Sequence, residues 1–431
     1  MPSQDLRELL NVVGGWEGFE IVQWSTDDTL TTDALGLPAR QLTIELRPRE
    51  DHVGLCSRCG MPVQAVHDVT DRRVRDLPLM AYDVWLQFPH RRLRCPRCGP
   101  TVERIPWLDR YQRLTKRLAE TLARLAQVMP ISRIAALYHV SWDTVKELDK
   151  RRLAARLGPL ALSDFSTVRR LVIDEFALHR GHRYATLVLD AETKRVLWVQ
   201  RGRDAEALTG FFTALGPAGC ARIEAVAIDL ARPFVKAVRT HCPKAAIVYD
   251  LFHALACYTA QVLDRVRMDE ANKIARPDRH HQRERVTKQR RFLTGKGVRW
   301  LLLRDRANLR TDEERVQLEE LLAANHNLFI VYVLKEDFRE MWRDSNAGAV
   351  QRRWEGWSAR ARESGIAALI RFADRLALKL QYIVNHARYP LHTSVVEGIN
   401  NKIKVMKRMA YGYRDEEYFF LKIRAAFPGI S

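Results

Sequence analysis

Two sets of side chains in this sequence have the type and spacing to do chemistry. The first is sulfur: Cys56-Ser-Arg-Cys59-Gly60 and Cys95-Pro-Arg-Cys98-Gly99, two C-x₂-C knuckles with 35 residues between them. Thiolates three apart, in a turn closed by glycine, hold one tetrahedral zinc ion in pairs, and two such knuckles complete a Cys₄ site. Four thiolates leave no open coordination position, so one zinc ion there is structural. Two disulfides are the competing pairing, disfavoured inside a cell. Cys220, Cys242 and Cys257 lack ligand spacing and are expected to be buried packing residues.

The second set is carboxylate. Asp174 closes the apolar run Leu-Val-Ile and Asp229 closes Ala-Val-Ala-Ile. In an open α/β sheet, ligands bind beyond the carboxyl ends of the strands. Were these two strands neighbours, the acids could share oxygen-ligated cations such as Mg²⁺. Two ions about 4 Å apart activate an attacking oxygen and stabilise a leaving one in phosphoryl transfer. One aspartate after a strand is more often a helix cap, and Asp204 and Asp250 fit that description. A third acid, Glu397, lies in Ser-Val-Val-Glu-Gly-Ile-Asn-Asn-Lys-Ile-Lys, a helix capped by Thr393 or Ser394. Asn400, Asn401 and Lys404 follow it at i+3, i+4 and i+7 on one polar face, while Val396, Ile399 and Ile403 pack elsewhere. That face suits a metal and a DNA backbone, or is simply solvated.

The elements that must position these groups follow from periodicity. Strands are expected at 72–77, 81–88 and 91–94 between the knuckles, which makes a zinc ribbon. Arg72, Arg73, Arg75, Arg91, Arg92, Arg94 and Arg97 crowd it, either as phosphate contacts or as a solvated face. Next, Leu118, Leu122, Leu125 and Ala126 share a helical face that Pro130 ends. A short helix with Ile134, Ala135 and Leu137 then turns at His139-Val140 into a second, capped by Ser141, with Val145 and Leu148 inside. This is a helix-turn-helix pattern that places Trp142, Asp143, Thr144, Lys146 and Lys150 near DNA; an ordinary helical hairpin is the alternative. From 170 onward, strands at 170–175, 183–189, 194–200, 223–229 and 246–250 alternate in their later part with helices. Three antiparallel strands followed by parallel ones make a ribonuclease-H-like α/β domain.

Asp229 and Glu397 are 168 residues apart, and the surplus reads as helices. Thr311 and Glu314 form a capping box ahead of Val316, Leu318, Leu321 and Leu322. Residues 273–310 hold 13 Lys and Arg against 3 Asp and Glu. Their Arg-rich part, with Arg283, Arg285, Lys288, Arg290 and Arg291, is a candidate for gripping DNA ends. His280 and His281 have no partner ligand at suitable spacing, and Trp300, Trp342, Trp354 and Trp357 are expected in core or interface. Over all 431 residues, 71 Lys and Arg face 52 Asp and Glu, for a net charge of +19. That excess favours nucleic acid as partner. A membrane anchor is not expected, because no apolar run approaches about 18 residues.

The Asp-terminated strands, the segment Tyr-Asp250-Leu-Phe-His253, and Glu397-Gly-Ile-Asn-Asn-Lys-Ile-Lys-Val-Met-Lys-Arg-Met-Ala-Tyr-Gly-Tyr413 together resemble the DDE transposases of bacterial insertion sequences, nearest the ISL-three family. The resemblance covers nearly the whole chain, residues 1–45 least. It implies that Asp174, Asp229 and Glu397 are catalytic acids binding two Mg²⁺ or Mn²⁺ ions. It also makes Asp250 and His253 helpers; Asn400, Asn401 and Lys404 join them by sharing the helix face of Glu397, and Lys402, Lys407 and Arg408 are expected on DNA from their charge beside that acid. The expected fold is multidomain: an N-terminal segment to 45, a zinc ribbon at 46–110, and an all-α helix-turn-helix at 111–165. The catalytic domain follows at 166–258 and 385–431, interrupted by an α-helical insertion at 259–384. The expected activity is cleavage and transfer of double-stranded DNA at terminal inverted repeats into a target. A homodimer or larger assembly in the bacterial cytoplasm, at the nucleoid, is implied. The rival is a zinc-dependent DNA-binding regulator that does not join strands; a nuclease that only cleaves is a further one.

Overall fold

Val84, Leu86 and Phe88 alternate along one strand and are all buried, the period-2 signature of a sheet with one face on a core. In the computed structural model, which describes residues 4–32, 38–158, 165–179, 181, 183–229, 231–274, 290–391 and 394–430, the chain forms two compact units. Unit 1 comprises residues 1–158 with 407–414, and unit 2 comprises 159–406 with 415–431.

Unit 1 opens with α1 (Gln4–Gly14), then β1 (Phe19–Thr32), β2 (Pro38–Pro48), β3 (Gly54–Cys56), β4 (Pro62–Val63), β5 (Val66–Arg75), β6 (Tyr82–Cys95) and β7 (Gly99–Arg104). The two strands expected at 81–88 and 91–94 are one, β6. Its first half lies between parallel β2 and antiparallel β5, and its end pairs with β7. Residues before 45, left without elements in the sequence reading, supply β1 and most of β2 to this sheet. Asp76, with no exposed surface, ties the unit together. It accepts hydrogen bonds from Trp16 Nε1 (2.8 Å), Thr115 Oγ1 (2.6 Å) and Arg117 Nε (2.7 Å).

The helices α2 (Lys116–Leu125), α3 (Ile131–Leu137) and α4 (Trp142–Leu157) pack around Leu118, Leu122, Ala126, Ile134 and Val145. Ser141 caps α4 by accepting the Thr144 N–H at 3.2 Å, as its sequence position predicts. His139 makes the turn with φ +47°. Leu137 departs from the expectation: it is half exposed, on the outer side of a seven-residue helix.

Unit 2 carries β8 (Arg170–His179), β9 (Arg183–Asp190), β10 (Val196–Arg201), β11 (Ala225–Ile228) and β12 (Ala246–Tyr249) in the order β10-β9-β8-β11-β12. The first three pair antiparallel and the last two join parallel to β8. Helix α5 (Glu206–Arg222) follows β10, with Asp204 Oδ1 accepting the Ala207 N–H at 3.0 Å. It breaks at Gly216, φ +68°, ahead of Pro217, which cannot continue a helix. Helix α6 (Arg232–His241) links β11 to β12, and α7 (Leu251–Tyr258) continues through a π-helical turn (Thr259–Leu263) into α8 (Asp264–Lys273).

The remaining described residues to 391 are helical: α9 (Lys296–Leu303), α10 (Asp312–Ala324), α11 (His326–Glu340), α12 (Ala347–Glu363), α13 (Ala367–Ala377) and α14 (Leu380–Arg388). Tyr258, Tyr332, Phe338 and Trp357 form their common core. This block is fastened to the sheet by Trp342 Nε1 on the Tyr249 carbonyl (3.0 Å) and Asn385 Nδ2 on the Ile247 carbonyl (2.8 Å). Trp342, Trp354 and Trp357 are buried as expected; Trp300 is 56% exposed and is not core. Thr311 caps α10, but Glu314 reaches back to the Arg310 N–H (2.9 Å) instead of the cap's own, and Val316 faces solvent. The chain ends with α15 (Ser394–Met409) and α16 (Glu416–Ala426), the latter packing on β10.

Candidate active site and metal centre

The four cysteines come together at the ends of β3 and β6 and in the turns that follow them. Among the described residues they are the one group of three or more His, Cys, Asp or Glu whose ligand atoms all lie within 4.8 Å of one another. Sulfurs at the corners of a tetrahedron around zinc, with Zn–S about 2.3 Å, are about 3.8 Å apart; Cys59 and Cys95 stand at 3.6 Å. The Thr101 hydroxyl and the backbone at Cys59 and Arg58 lower the Cys56 thiol to about 6. Cys59 crowds Cys98, which is pushed up to about 12. Four sulfurs this close would crowd one another's charge as thiolates, which a cation held between them would relieve. Gly60 and Gly99 close the knuckles with φ +72° and +73°, a conformation only glycine takes without strain.

The arginines around this ribbon divide. Arg75 is buried against Asp83 at 2.8 Å, Arg91 pairs with Glu103, and Arg72 donates to the Gln112 carbonyl. These three hold the fold together, so neither phosphate contact nor a solvated face describes the whole cluster. Arg73, Arg94 and Arg97 remain exposed, and Arg92, also exposed, pairs with Asp68.

In unit 2, parallel pairing matches Ala225 with Arg170, Val226 with Leu171 and Ala227 with Val172. The paired stretch stops there; carried two residues further, the same register brings Asp229 level with Asp174, whose carboxyl feels its charge. The sequence reading put Asp174 at a strand end; instead β8 runs on to His179, because antiparallel β9 continues beside it. What ends at Asp174 is the other flank, where β11 stops at Ile228. The carboxylate therefore stands at a notch in the sheet. Burial pushes Asp174 above the ordinary carboxylate range, and the charge of Asp229 adds to this. Glu175, unassigned by the sequence reading, is raised by burial and by Asp229 in the same way.

Helix α15 reaches this notch through Asn400, whose Nδ2 donates to Asp174 Oδ2 at 3.0 Å. The other amide atom, Asn400 Oδ1, is buried with no hydrogen-bond partner among the described residues. Val396, Ile399 and Ile403 are buried, and Val396 and Ile403 stand at i−4 and i+3 from Asn400, so Asn400 borders the packed side of the helix. Glu397 lies one turn earlier and is exposed; the three acids do not reach the spacing of the thiols. Asn401 and Lys404 are exposed, with Lys404 Nζ on Asn401 Oδ1 at 3.3 Å.

Asp250 is almost fully buried and caps α7, accepting the His253 N–H at 3.0 Å and lying 3.1 Å from His253 Nδ1. The ring's Nε2 stands 3.9 Å from Asp174 Oδ1. Burial works against the charged ring, but Asp250's hydrogen bond and the charges of Asp174 and Asp229 outweigh it and raise the His253 pKa. A donor set of hard oxygens, two of them on crowded carboxylates, fits divalent cations. Such cations would offset the part of the upward shift of Asp174 and Glu175 that comes from the charge of Asp229.

The residues expected on DNA are scattered. Trp142 is 49% exposed at the start of α4, the Thr144 hydroxyl bonds Ser141 Oγ at 2.8 Å, and Lys146 is half-buried beside Glu147. Arg290 and Arg291 are exposed, Arg290 bonding Asn272. His280, His281, Arg283, Arg285, Lys288 and Thr393 lie outside the described residues. Lys402 is drawn onto the Ala426 carbonyl and the Phe427 ring. Lys407 is half-buried, its pKa lowered by burial, and Arg408 is exposed. No helix among the described residues is long and apolar enough to cross a membrane.

Comparison with known proteins agrees with this order of parts. Residues 52–98 match the zinc-finger of transposase IS204/IS1001/IS1096/IS1165, and 103–153 match the helix-turn-helix domain of transposase family ISL3. Residues 171–423 match the DDE transposase domain of the same family. The transposase for insertion sequence element IS1001 of Bordetella parapertussis is 47% identical over 426 residues, covering 98% of each chain. The transposase for insertion sequence element IS1557 of Mycobacterium tuberculosis is 29% identical over 385 residues, covering 86% of this chain and 85% of its own. The chain belongs to the ISL3 family of insertion-sequence DDE transposases, metal-dependent enzymes that act on DNA.

Proposed function

We propose that Asp174, Asp229 and Glu397 form the catalytic centre, holding two Mg²⁺ or Mn²⁺ ions, and that the domain bearing them is of the ribonuclease-H-like class. The carrying observation is the register that sets Asp229 opposite Asp174, together with the Asn400 bond that brings the Glu397 helix to the same notch. Bound there, the cations would supply stabilisation of charge on the attacking and leaving oxygens of an in-line phosphoryl transfer. The chain's own groups prepare the site. Asn400 fixes the plane of the Asp174 carboxylate, and Asp250 holds the His253 ring beside it. Lys404, with Lys402 and Arg408, offers positive charge to a DNA backbone along α15.

In this reading the ribbon (46–110), with one structural zinc, and the helix-turn-helix (111–165) bind terminal inverted repeats. The N-terminal segment (1–45) belongs with them. The catalytic parts (166–258 and 385–431) cleave the ends and join them to target DNA, with the helical insertion (259–384) contributing contacts to the ends. Synapsis of two ends calls for a dimer or larger assembly on DNA, at the nucleoid. The test uses supercoiled plasmid carrying the sequences that flank the gene, with Mg²⁺ or Mn²⁺. Joined products are expected with the native chain. Asp174→Ala should bind the ends and yield none. Cleavage without joining under every condition would overturn the reading.

A further inference from the structure

Helix α6 begins three residues after Asp229, and its outer face carries Arg232, Lys236 and Arg239 at i, i+4 and i+7. Facing them across a groove of about 590 Å³ are Leu378, Lys379 and Tyr382, from the junction of α13 and α14. Four cations line this groove and no acidic residue does. Arg232 and Lys236 are exposed and, among the described residues, neither forms an ion pair. Arg239 is held upright by the Tyr382 hydroxyl at 2.5 Å, which fixes one wall. The groove opens at the acid end of the sheet: Lys379 Nζ lies 5.6 Å from the ring of Tyr249, the last residue of β12, and Arg232 adjoins the Asp229 turn.

We propose that this groove grips the sugar–phosphate backbone of the target DNA, a proposal that rests on the catalytic reading of Asp174 and Asp229. Charge complementarity names the ligand: four cations without a counter-acid, beside a centre that transfers phosphodiesters, suit a phosphate backbone. The lining chooses between the two DNAs the enzyme handles. Its side chains are cations, two hydroxyls (Thr240 and Tyr382) and apolar surface, without the amide or carboxylate groups that pair with adenine or cytosine, so guanine is the one base its cations are suited to read. Contacts of this kind position a duplex and carry little sequence information. They therefore suit a strand whose sequence is not specified, whereas the element ends have a ribbon and a helix-turn-helix to read them.

The test compares the full-length chain with Arg232→Glu/Lys236→Glu and, on the opposite wall, with Lys379→Gln. Glutamates in the first turns of a helix oppose no fold requirement, and thermal melting checks that both variants remain folded. Pre-cleaved duplexes of the element's ends are joined to a supercoiled plasmid lacking those ends, while cleavage of an end-bearing plasmid is measured in parallel. The double variant should lose tenfold or more in joining, with end binding and cleavage within twofold of the native chain. Its plasmid binding should show a log–log salt slope shallower by about 2, for two lost phosphate contacts. Joining unchanged in both variants would overturn the proposal. Joining and cleavage falling together would also overturn it, since the gripped strand would then be the element end. Asp174→Ala, assayed alongside, separates this from a failure of the catalytic reading: plasmid binding by the groove does not require that residue.

Discussion

The sulfur site and the carboxylate site are built on opposite principles. Each half of the zinc centre is a four-residue knuckle, so its geometry is local and the fold needs only to bring two turns together. The carboxylate site proposed above draws single residues from positions 174, 229 and 397, and no two of them share a local segment. Its geometry lives in strand register and in one hydrogen bond from a helix far along the chain. A site of the first kind tolerates a displaced neighbour, whereas one of the second kind does not.

That contrast can be broken experimentally. The largest effect is expected at the zinc centre: Cys95→Ser should remove the bound zinc, measured as metal per chain. Structural zinc contributes on the order of 10 kcal/mol to the folding of isolated fingers, so specific binding to the element ends should be lost. Retention of tight end binding by a zinc-free protein would show that the ribbon is not the reader. Next comes Asp174→Ala, expected to lower strand cleavage by roughly a thousandfold, the scale of removing a preorganised electrostatic group, with end binding intact. Asn400→Ala should raise the divalent-ion concentration for half-maximal cleavage by about 10- to 100-fold, as losing a partner that orients a ligand does. A drop in rate that no added Mn²⁺ rescues would place Asn400 in another role.

The smallest effect sharpens the comparison from within unit 1. Asp76→Asn should cost about 3 kcal/mol, the scale of breaking a buried ion pair, read from chemical denaturation. Burial works to raise Asp76, but hydrogen bonds from Arg117, Thr115 and Trp16 outweigh it and hold the carboxyl below its ordinary value. Its contribution is therefore complete above the unfolded carboxylate pKa and is lost as the pH falls through the lowered folded one. The acid limb of stability should be flatter in the variant. An unchanged limb would mean that ionised Asp76 does not contribute the pH-linked part of the stability of unit 1.

Much of the fold was legible. Helix faces announced themselves through residues such as Leu118, Leu122 and Ile134, and the caps at Ser141, Asp204 and Asp250 fall where their types demand. Leu137 and Val316 misled because periodicity says which residues share a face and not which part of that face a neighbour covers. Arg75 and Arg91 misled for the converse reason: a cluster of like charges in sequence conceals the acids, Asp83 and Glu103, that neutralise it in space.

The pairing of the four clustered cysteines and the polar face carrying Glu397 are legible in the sequence, because each is written in spacings of two to seven residues. Tertiary structure alone decided that Asp174 lies mid-strand at a notch opposite Asp229, that Asn400 is the residue touching it, and that Arg232 and Lys379 face one groove. Those relations depend on pairing between segments tens to hundreds of residues apart, and no local period encodes the register of two strands.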